Sequence, residues 1–285
     1  MTSLWRERPV GIVGLGLIGG SLGLDLMARG ARVQALVHRP ATAERARERG
    51  LATVVSTDPA VLEDCGLIVL ALPLDRLLQP PEALLVALPA EAVVTDVGSV
   101  KAPVLERWRQ RARFVASHPM AGTAEAGVEA GLPGLFEGRP WVATPEASTD
   151  PAALSAVQQL AEAVGAQWLT CGASAHDQAV ALISHMPVLV SAALVEAAAL
   201  GGAAAGASAL VRHLASSGFA DTSRIGGGNP ELGTLMARCN REAVLQALRH
   251  YRQQLDGLEA LVQSEQWPQL EQALAATQAL RPEFL

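Results

Sequence analysis

Short apolar, β-branched runs recur along the first 170 residues and alternate with amphipathic stretches. Runs at Val10–Val13, Arg32–Val37, Thr53–Val55, Leu67–Leu72, Val93–Val97, Phe114–Ser117, Trp141–Thr144 and Gln167–Thr170 predict strands. Between them, Gly20–Arg29, Thr42–Arg49, Ala102–Arg111 and Pro151–Val164 carry helical periodicity. Gly30 and Gly50 stand where a glycine ends a helix. Strands alternating with helices predict an α/β fold, a mainly parallel sheet with helices on both faces.

The pattern changes after Cys171-Gly172, and no further strand is predicted. Ser174-Ala-His-Asp177 has the spacing of a capping box opening a long helix. Pro187 falls inside that helix and predicts a kink. The segment Ser216–Gly233, rich in Gly, Ser, Asp and Asn, reads as a long loop of a kind that often carries function. Met186–Leu210 is almost free of charge and long enough to span a bilayer. Its Ala and Gly content and Glu196 favour a helix buried in the protein or between subunits, with no membrane involved. The expected organisation is a first domain over residues 1–171 and an all-helical dimerisation domain over 172–285. The apolar surface of that second domain predicts a homodimer.

Within the first βαβ unit lies Gly14-x-Gly16-x-x-Gly19, directly after a strand and opening a helix. In that context the run is a Rossmann-type dinucleotide fingerprint. Gly14 permits the tight turn, Gly16 lets the backbone approach a pyrophosphate, and Gly19 lets helix and strand pack closely. With Leu15, Leu17 and Ile18, these residues form the expected phosphate loop, its anion at the helix N-terminus. The second strand ends in Val37-His38-Arg39, where an NAD site usually carries an acid. Arg39 beside His38 would pair with a 2′-phosphate, so NADP is expected over NAD, with NAD possible. Leu72 and Pro73, closing the fourth strand, complete the expected cofactor set.

Composition narrows the remaining classes. The net charge is −6 and only 18% of residues are charged, so no basic face for nucleic acid is expected. The three cysteines, Cys65, Cys171 and Cys239, lack the paired spacing of a metal site or a disulfide framework. They suggest a reducing compartment. Met1–Arg8 carries no apolar export segment, and a cytoplasmic location is expected. Among 22 basic residues Lys101 is the single lysine, so any lysine chemistry has one candidate.

Three further segments carry candidate chemistry: Thr95-Asp-Val-Gly-Ser99-Val-Lys101, Ser117-His118-Pro-Met-Ala-Gly122-Thr123 and Asp221-Thr-Ser-Arg224-Ile-Gly-Gly-Gly-Asn-Pro-Glu231. The first two follow the ends of predicted strands, the edge at which open α/β sheets bind ligands. Together with the glycine motif and the His185-Met-Pro run, they make the chain resemble the prephenate/arogenate dehydrogenase family of tyrosine biosynthesis. The resemblance extends over essentially the whole chain. It is strongest to the cyanobacterial-type arogenate enzymes, through Ser216-Ser-Gly-Phe-Ala-Asp-Thr-Ser-Arg and Gly-Gly-Gly-Asn-Pro-Glu-Leu-Gly.

The resemblance implies an NADP-dependent oxidative decarboxylation of arogenate or prephenate. It assigns His118 as acceptor of the ring-hydroxyl proton, a task suited to an imidazole near its ordinary pKa. Ser99 would orient the same hydroxyl or the imidazole. Arg224 would bind a substrate carboxylate bidentately, with Arg241 a weaker candidate that reads better as a helix-surface charge. Glu231 would meet the ammonium of arogenate, although a first-turn helix acid is an equal reading. Gly122 and Thr123 would wall the pocket, and His185 would line it if a kink at Pro187 aims it there. His176 and His185, nine residues apart, fall on opposite sides of a straight helix and form no metal pair. His176 sits at the predicted capping box, facing the interdomain cleft. His213 and His250 read as ordinary helix residues, and Lys101 as a structural residue or a contact to a carboxylate or the cofactor. No metal is expected. Two alternatives stay open. One is a two-domain dehydrogenase of β-hydroxyacids or imines, many of which use a lysine in the helical half, whereas no lysine follows Lys101. The other is a non-enzymatic NADP-binding regulator, which would not need His118, Ser99 and Arg224 together.

Overall fold

The structure is a computed structural model that describes residues 4–123 and 125–284. Met1–Ser3 of the N-terminal reading and Leu285 of the helical domain lie outside the described residues. After a short helix α1 (Leu4–Glu7), the chain alternates β1 (Val10–Val13), α2 (Leu17–Ala28), β2 (Val33–Leu36), α3 (Pro40–Glu48) and β3 (Val54–Ser56). It continues through β4 (Leu67–Leu70), α4 (Leu74–Leu78), α5 (Glu82–Ala87), β5 (Val93–Asp96), α6 (Ala102–Trp108) and β6 (Phe114–Val115). The six strands form one parallel sheet in the order β3-β2-β1-β4-β5-β6. The order reverses at β1, so the crevice above β1 and β4 is the ligand-binding edge of this topology.

β1, β4 and β5 are buried at every residue, because helices cover both faces of the sheet. One apolar cluster runs through Val10, Ile12, Leu22, Val33 and Trp141, and a second, on the other face, through Ile68, Leu70, Leu77, Val94 and Trp108.

One residue, Ala116, separates β6 from β7 (Ser117–Pro119). The predicted strand Phe114–Ser117 is thus split between two sheets. β7 opens a second sheet, antiparallel to β8 (Pro140–Ala143), which runs parallel to β9 (Gln167–Thr170). Helix α7 (Pro151–Ala163) connects β8 and β9. The second sheet is mixed, and its antiparallel pairing falls where His118 sits, within the mainly parallel arrangement expected.

From Ala173 the chain is helical: α8 (Ala173–Val180), a π-turn (Ala181–His185), α9 (Met186–Ala204), α10 (Ser208–Leu214), α11 (Ser217–Ser223), α12 (Pro230–Cys239), α13 (Arg241–Gln263) and α14 (Trp267–Leu280). Three sequence expectations change here. Gly172, not Ser174, is the N-cap of α8, and the Asp177 side chain caps a different helix. Pro187 causes no break, and the helical stretch Ala173–Ala204 is continuous. The π-turn precedes the proline, and a locally wider turn absorbs the missing N–H and the ring's clash with the preceding turn. Ser216–Gly233 is largely not a loop: it forms α11, a 3₁₀ turn over Arg224–Gly227 and the start of α12. The Ser191 hydroxyl donates to Thr222 O at 2.9 Å and accepts from Gly226 N at 2.8 Å. A Cβ on Gly226 would lie 2.5 Å from Ala192 N, so only glycine lets this turn close on α9.

Of the two placements expected for α9, burial within the chain is not the one found. Only Ser191 and Gly202 of its 19 residues are buried, and Leu200 is 71% exposed. The stretch Ala173–Ala204, which contains an 18-residue window of mean hydropathy 1.8, is long and apolar enough to cross a membrane by length and composition alone.

Candidate active site

The expected phosphate loop is built largely from absent side chains. Gly14 has φ +95°, and a Cβ there would lie 2.4 Å from Ala71 O. A Cβ on Gly19 would lie 2.0 Å from Gly14 O, so this glycine lets α2 pack against the loop. In front of Gly16 nothing lies within 4 Å, leaving the backbone open to a ligand. Gly16 is also the N-cap of α2 and supplies no side-chain cap, so the first amides of that 12-residue helix are free for an anion. These features fit a dinucleotide pyrophosphate. The Leu72 side chain lies 3.6 Å from the Gly14 Cβ position, and Pro73 follows at the start of α4. Leu15 is buried, while Leu17 and Ile18 are half-buried in the first turn of α2. His38 and Arg39 are exposed at the end of β2, with Arg39 Nε donating to His38 Nε2 at 3.0 Å.

Next to this loop, β5 ends in a buried carboxylate, Asp96. It accepts from Gly98 N at 2.8 Å, from Ser117 N at 3.2 Å and from the Lys101 ammonium. Lys101 Nζ also donates to Ser117 O at 2.7 Å. Both side chains are fully buried. Burial pushes Asp96 up and Lys101 down, and each opposes the other's shift. The single lysine is thus structural: it ties the end of β5 to the start of β7. The Ser117 hydroxyl donates to Asp96 O and accepts from Trp141 Nε1, both at 2.9 Å, which fixes β7 from its other side.

His118 is the middle residue of β7, paired with Val142. Its Nδ1 lies 3.0 Å from Nε2 of His176, which begins the helical half. The two rings meet edge to face at 5.2 Å. His176 Nδ1 is 2.8 Å from Asp177 Oδ1. Asp177 also accepts Lys101 N at Oδ1 (2.7 Å) and Ala102 N at Oδ2 (2.9 Å), capping α6 across the domain boundary. Burial first, then the charges of Lys101, His176 and His185, hold the His118 imidazole well below its usual range. This differs from the near-ordinary value suggested by sequence, and it keeps the ring neutral at physiological pH.

His185 lies at the end of the π-turn, 2% exposed. Asn240 Nδ2 donates to Asp177 O at 2.7 Å and to His185 Nδ1 at 3.2 Å. The His185 proton is therefore on Nε2, a buried atom with no partner among the described residues. Burial lowers the pKa of His185 to about 4.

The structure thus gathers His118, His176, His185 and Lys101 around one junction between the two halves. The π-turn brings together two histidines that a regular helix would place on opposite sides. Ser99 is half-buried near the start of α6 and makes no hydrogen bond to His118; His176 is what holds that imidazole. Gly122 and Thr123 are exposed just beyond β7. Arg224, in the exposed 3₁₀ turn, and Glu231, in the first turn of α12, have no hydrogen bond or ion pair to the His118 group. Asn229 caps α12, which places Glu231 where a first-turn acid is favoured. Arg241 pairs with Glu242 on the surface, as its surface reading expects. His213 and His250 are exposed on helices. Among the described residues no group of three metal-ligating side chains occurs.

Sequence reasoning missed Asp177 and Asn240 as organisers of this site. The signal for both was weak: each sits beside a residue singled out for another reason.

The family model described as "Prephenate dehydrogenase, nucleotide-binding domain" matches residues 22–170, and "Prephenate dehydrogenase, dimerization domain" matches residues 172–276. A cyclohexadienyl dehydrogenase from Zymomonas mobilis is 28% identical over 264 residues, covering 90% of this chain and 89% of that protein. The crystal structure of Synechocystis arogenate dehydrogenase superimposes with a TM-score of 0.82 at 42% identity, covering 97% of this chain and all of that one. Prephenate dehydrogenase from A. aeolicus, in complex with hydroxyphenyl propionate and NAD+, gives a TM-score of 0.86 at 28% identity, with 98% of each chain covered.

Proposed function

The chain belongs to the prephenate dehydrogenase family, and from that premise we propose that it catalyses the NADP-dependent oxidative decarboxylation of L-arogenate to L-tyrosine, and less readily of prephenate to 4-hydroxyphenylpyruvate. Its enzyme class, an oxidoreductase of the prephenate/arogenate type, comes with the family. The observation that carries the reading is the placement of His118. It stands on the strand that follows the Asp96–Lys101 knot, with Nδ1 engaged and Nε2 making no hydrogen bond among the described residues.

In the proposed reaction, His118 Nε2 accepts the proton of the ring hydroxyl as the carbon bearing it loses hydride. The bound nicotinamide supplies the hydride acceptor. The C–COO⁻ bond para to that carbon breaks, carbon dioxide leaves, and the electron pair enters the ring. The oxygen then takes back its proton as the ring becomes a phenol. Ser99 orients the hydroxyl. Arg224 binds a carboxylate, His185 donates Nε2–H toward the pocket, Gly122 and Thr123 wall it, and Glu231 meets the arogenate ammonium. Gly14–Gly19, Leu72 and Pro73 hold the dinucleotide, and His38 with Arg39 selects the 2′-phosphate. What supports NADP is a β2 end without an acid and with the exposed cation Arg39. What supports arogenate is the likeness to the Synechocystis enzyme over nearly the whole chain.

Residues 1–171 carry the cofactor together with Ser99, His118, Gly122 and Thr123, and 172–285 carry the remaining substrate contacts and a homodimer interface. The exposed apolar helices and the match to a dimerization domain support the latter. A cytoplasmic location accords with three free thiols, Cys65, Cys171 and Cys239. The test is a two-by-two assay, both substrates against both cofactors, following reduced nicotinamide. Turnover highest with arogenate and NADP is expected. No reduction with either substrate at saturating cofactor would remove the reading.

A further inference from the structure

We propose that His176, held by Asp177, is a positioning residue from the helical half that fixes the tautomer of His118, so that Nε2 of His118 presents a bare lone pair. The proposal rests on the reading of His118 as the proton acceptor.

Lys101 N and Ala102 N only donate, and both point at the Asp177 carboxylate, at 2.7 and 2.9 Å. Asp177 is thereby fixed as an acceptor. His176 Nδ1, 2.8 Å from the same Oδ1, therefore carries a proton. A neutral His176 then has its lone pair on Nε2. That atom faces His118 Nδ1 at 3.0 Å, and the contact is a hydrogen bond only if His118 Nδ1–H donates. His118 is left with its lone pair on Nε2. The opposite tautomer would set two lone pairs against each other at that distance. Without such a partner an imidazole is free to carry its proton on Nε2, where it cannot act as a base.

The same chain serves the charged intermediate. When Nε2 takes the hydroxyl proton, no bond at Nδ1 changes, and the new cation is aligned through His176 toward the Asp177 carboxylate. The relay also couples catalysis to domain docking. His118 stands on β7 of the nucleotide-binding half, and His176 and Asp177 open the helical half. Asp177 grips α6 through two amides, so the halves must be seated for the tautomer to be set. The groups that face His118 are Lys101 from the β5–α6 turn, His176 from α8 and His185 from the π-turn, with Asp96 behind Lys101 and Asp177 behind His176.

The full-length protein tests this in two ways. Heteronuclear NMR of the imidazole nitrogens, without substrate at neutral pH, reads the tautomer directly. Wild type is expected to show a protonated Nδ1 and a bare Nε2 on His118; His176→Ala is expected to shift His118 toward the Nε2–H form. In turnover, His176→Ala is expected to lower kcat about 100-fold while KM changes less than about twofold, because His176 touches no substrate. His176→Gln, whose Oε1 can accept from His118 Nδ1, is expected to recover most of the lost kcat. A wild-type His118 protonated at Nε2 overturns the proposal, as does a His176→Ala variant with unchanged tautomer and kcat. If wild type reduces no cofactor with either substrate, the functional reading fails, and the NMR measurement still decides the tautomer.

Discussion

In the nucleotide-binding half, β1, β4 and β5 are buried at every residue, and apolar clusters fill both faces of the sheet. In the helical half, the one separate cluster of buried residues among those described is Ala181, Val244 and Ala247. There Leu200, Leu210, Leu214, Leu255, Trp267 and Leu274 are each at least half exposed. Helix α12 sides with the first half, since Leu235 packs into its second cluster. The contrast teaches that one half satisfies its apolar surface within a single chain, and the other leaves much of its own open, as the proposed homodimer requires. Damage to the first half should act on folding, damage to the second on assembly, and damage at the junction on chemistry.

The junction carries the largest expected effect. His118→Asn removes the proton acceptor and should lower kcat by about 100- to 10,000-fold with an unchanged fold, checked by steady-state kinetics and circular dichroism. The acid limb of the kcat/KM profile should lie below the ordinary imidazole pKa, because protonating the depressed His118 removes the base and activity falls only once pH drops that far. The next effect belongs to the closed half. Lys101→Met leaves Asp96 buried without its cation and should cost about 3–5 kcal/mol in denaturant unfolding. Pairing it with Asp96→Asn should return part of that loss, which a purely steric account of Lys101 does not predict.

A third effect follows the pH. His185 is neutral when folded, with a pKa of about 4 against an ordinary value of 6.5. Its unfolded form takes a proton at higher pH than the folded form does. Stability should therefore be full above about pH 6.5 and fall as pH drops toward 4, by on the order of 3 kcal/mol. A His185→Asn variant should flatten that window; an unchanged slope would place its origin elsewhere. The open half should answer differently. Charges at Leu255 and Leu258 should weaken self-association at least about 100-fold in sedimentation, roughly 2.7 kcal/mol, while dinucleotide binding by the first half persists. A dimer unmoved by these changes would put the interface on another face. The smallest effect is Arg39→Ser, expected to raise KM for NADP about tenfold, roughly 1.4 kcal/mol, and to leave NAD use unaltered.

Much of this molecule was legible along the chain. The eight apolar runs became strands, and Gly14 and Gly19 occupy positions that no side chain would fit. That information is local. Period-two and period-3.6 patterns report which face is buried, and a positive φ or a backbone in contact reports a glycine. His118 and Lys101 stood out because they follow the ends of predicted strands, where sites form, although His118 lies within β7.

What the sequence did not disclose depends on pairs distant along the chain. Asp177 has the spacing of a local cap, yet its carboxylate lies 2.7 Å from an amide 76 residues away. Ser99 was the expected neighbour of His118, and His176, 58 residues distant, took that place. The π-turn before Pro187 turned an expected kink into a continuous helix and carried His185 to the junction. The Gly-rich run after Ser216 is helical, and Ser191 on α9 ties its turn down through Thr222 O and Gly226 N. Sequence by itself determined the strands and the glycines of the first turn, and singled out His118 as the expected base, since each is written in neighbouring residues. Only the tertiary structure decided which partner holds that base and which apolar faces stay open, because hydrogen bonds and burial are settled by what folding brings alongside.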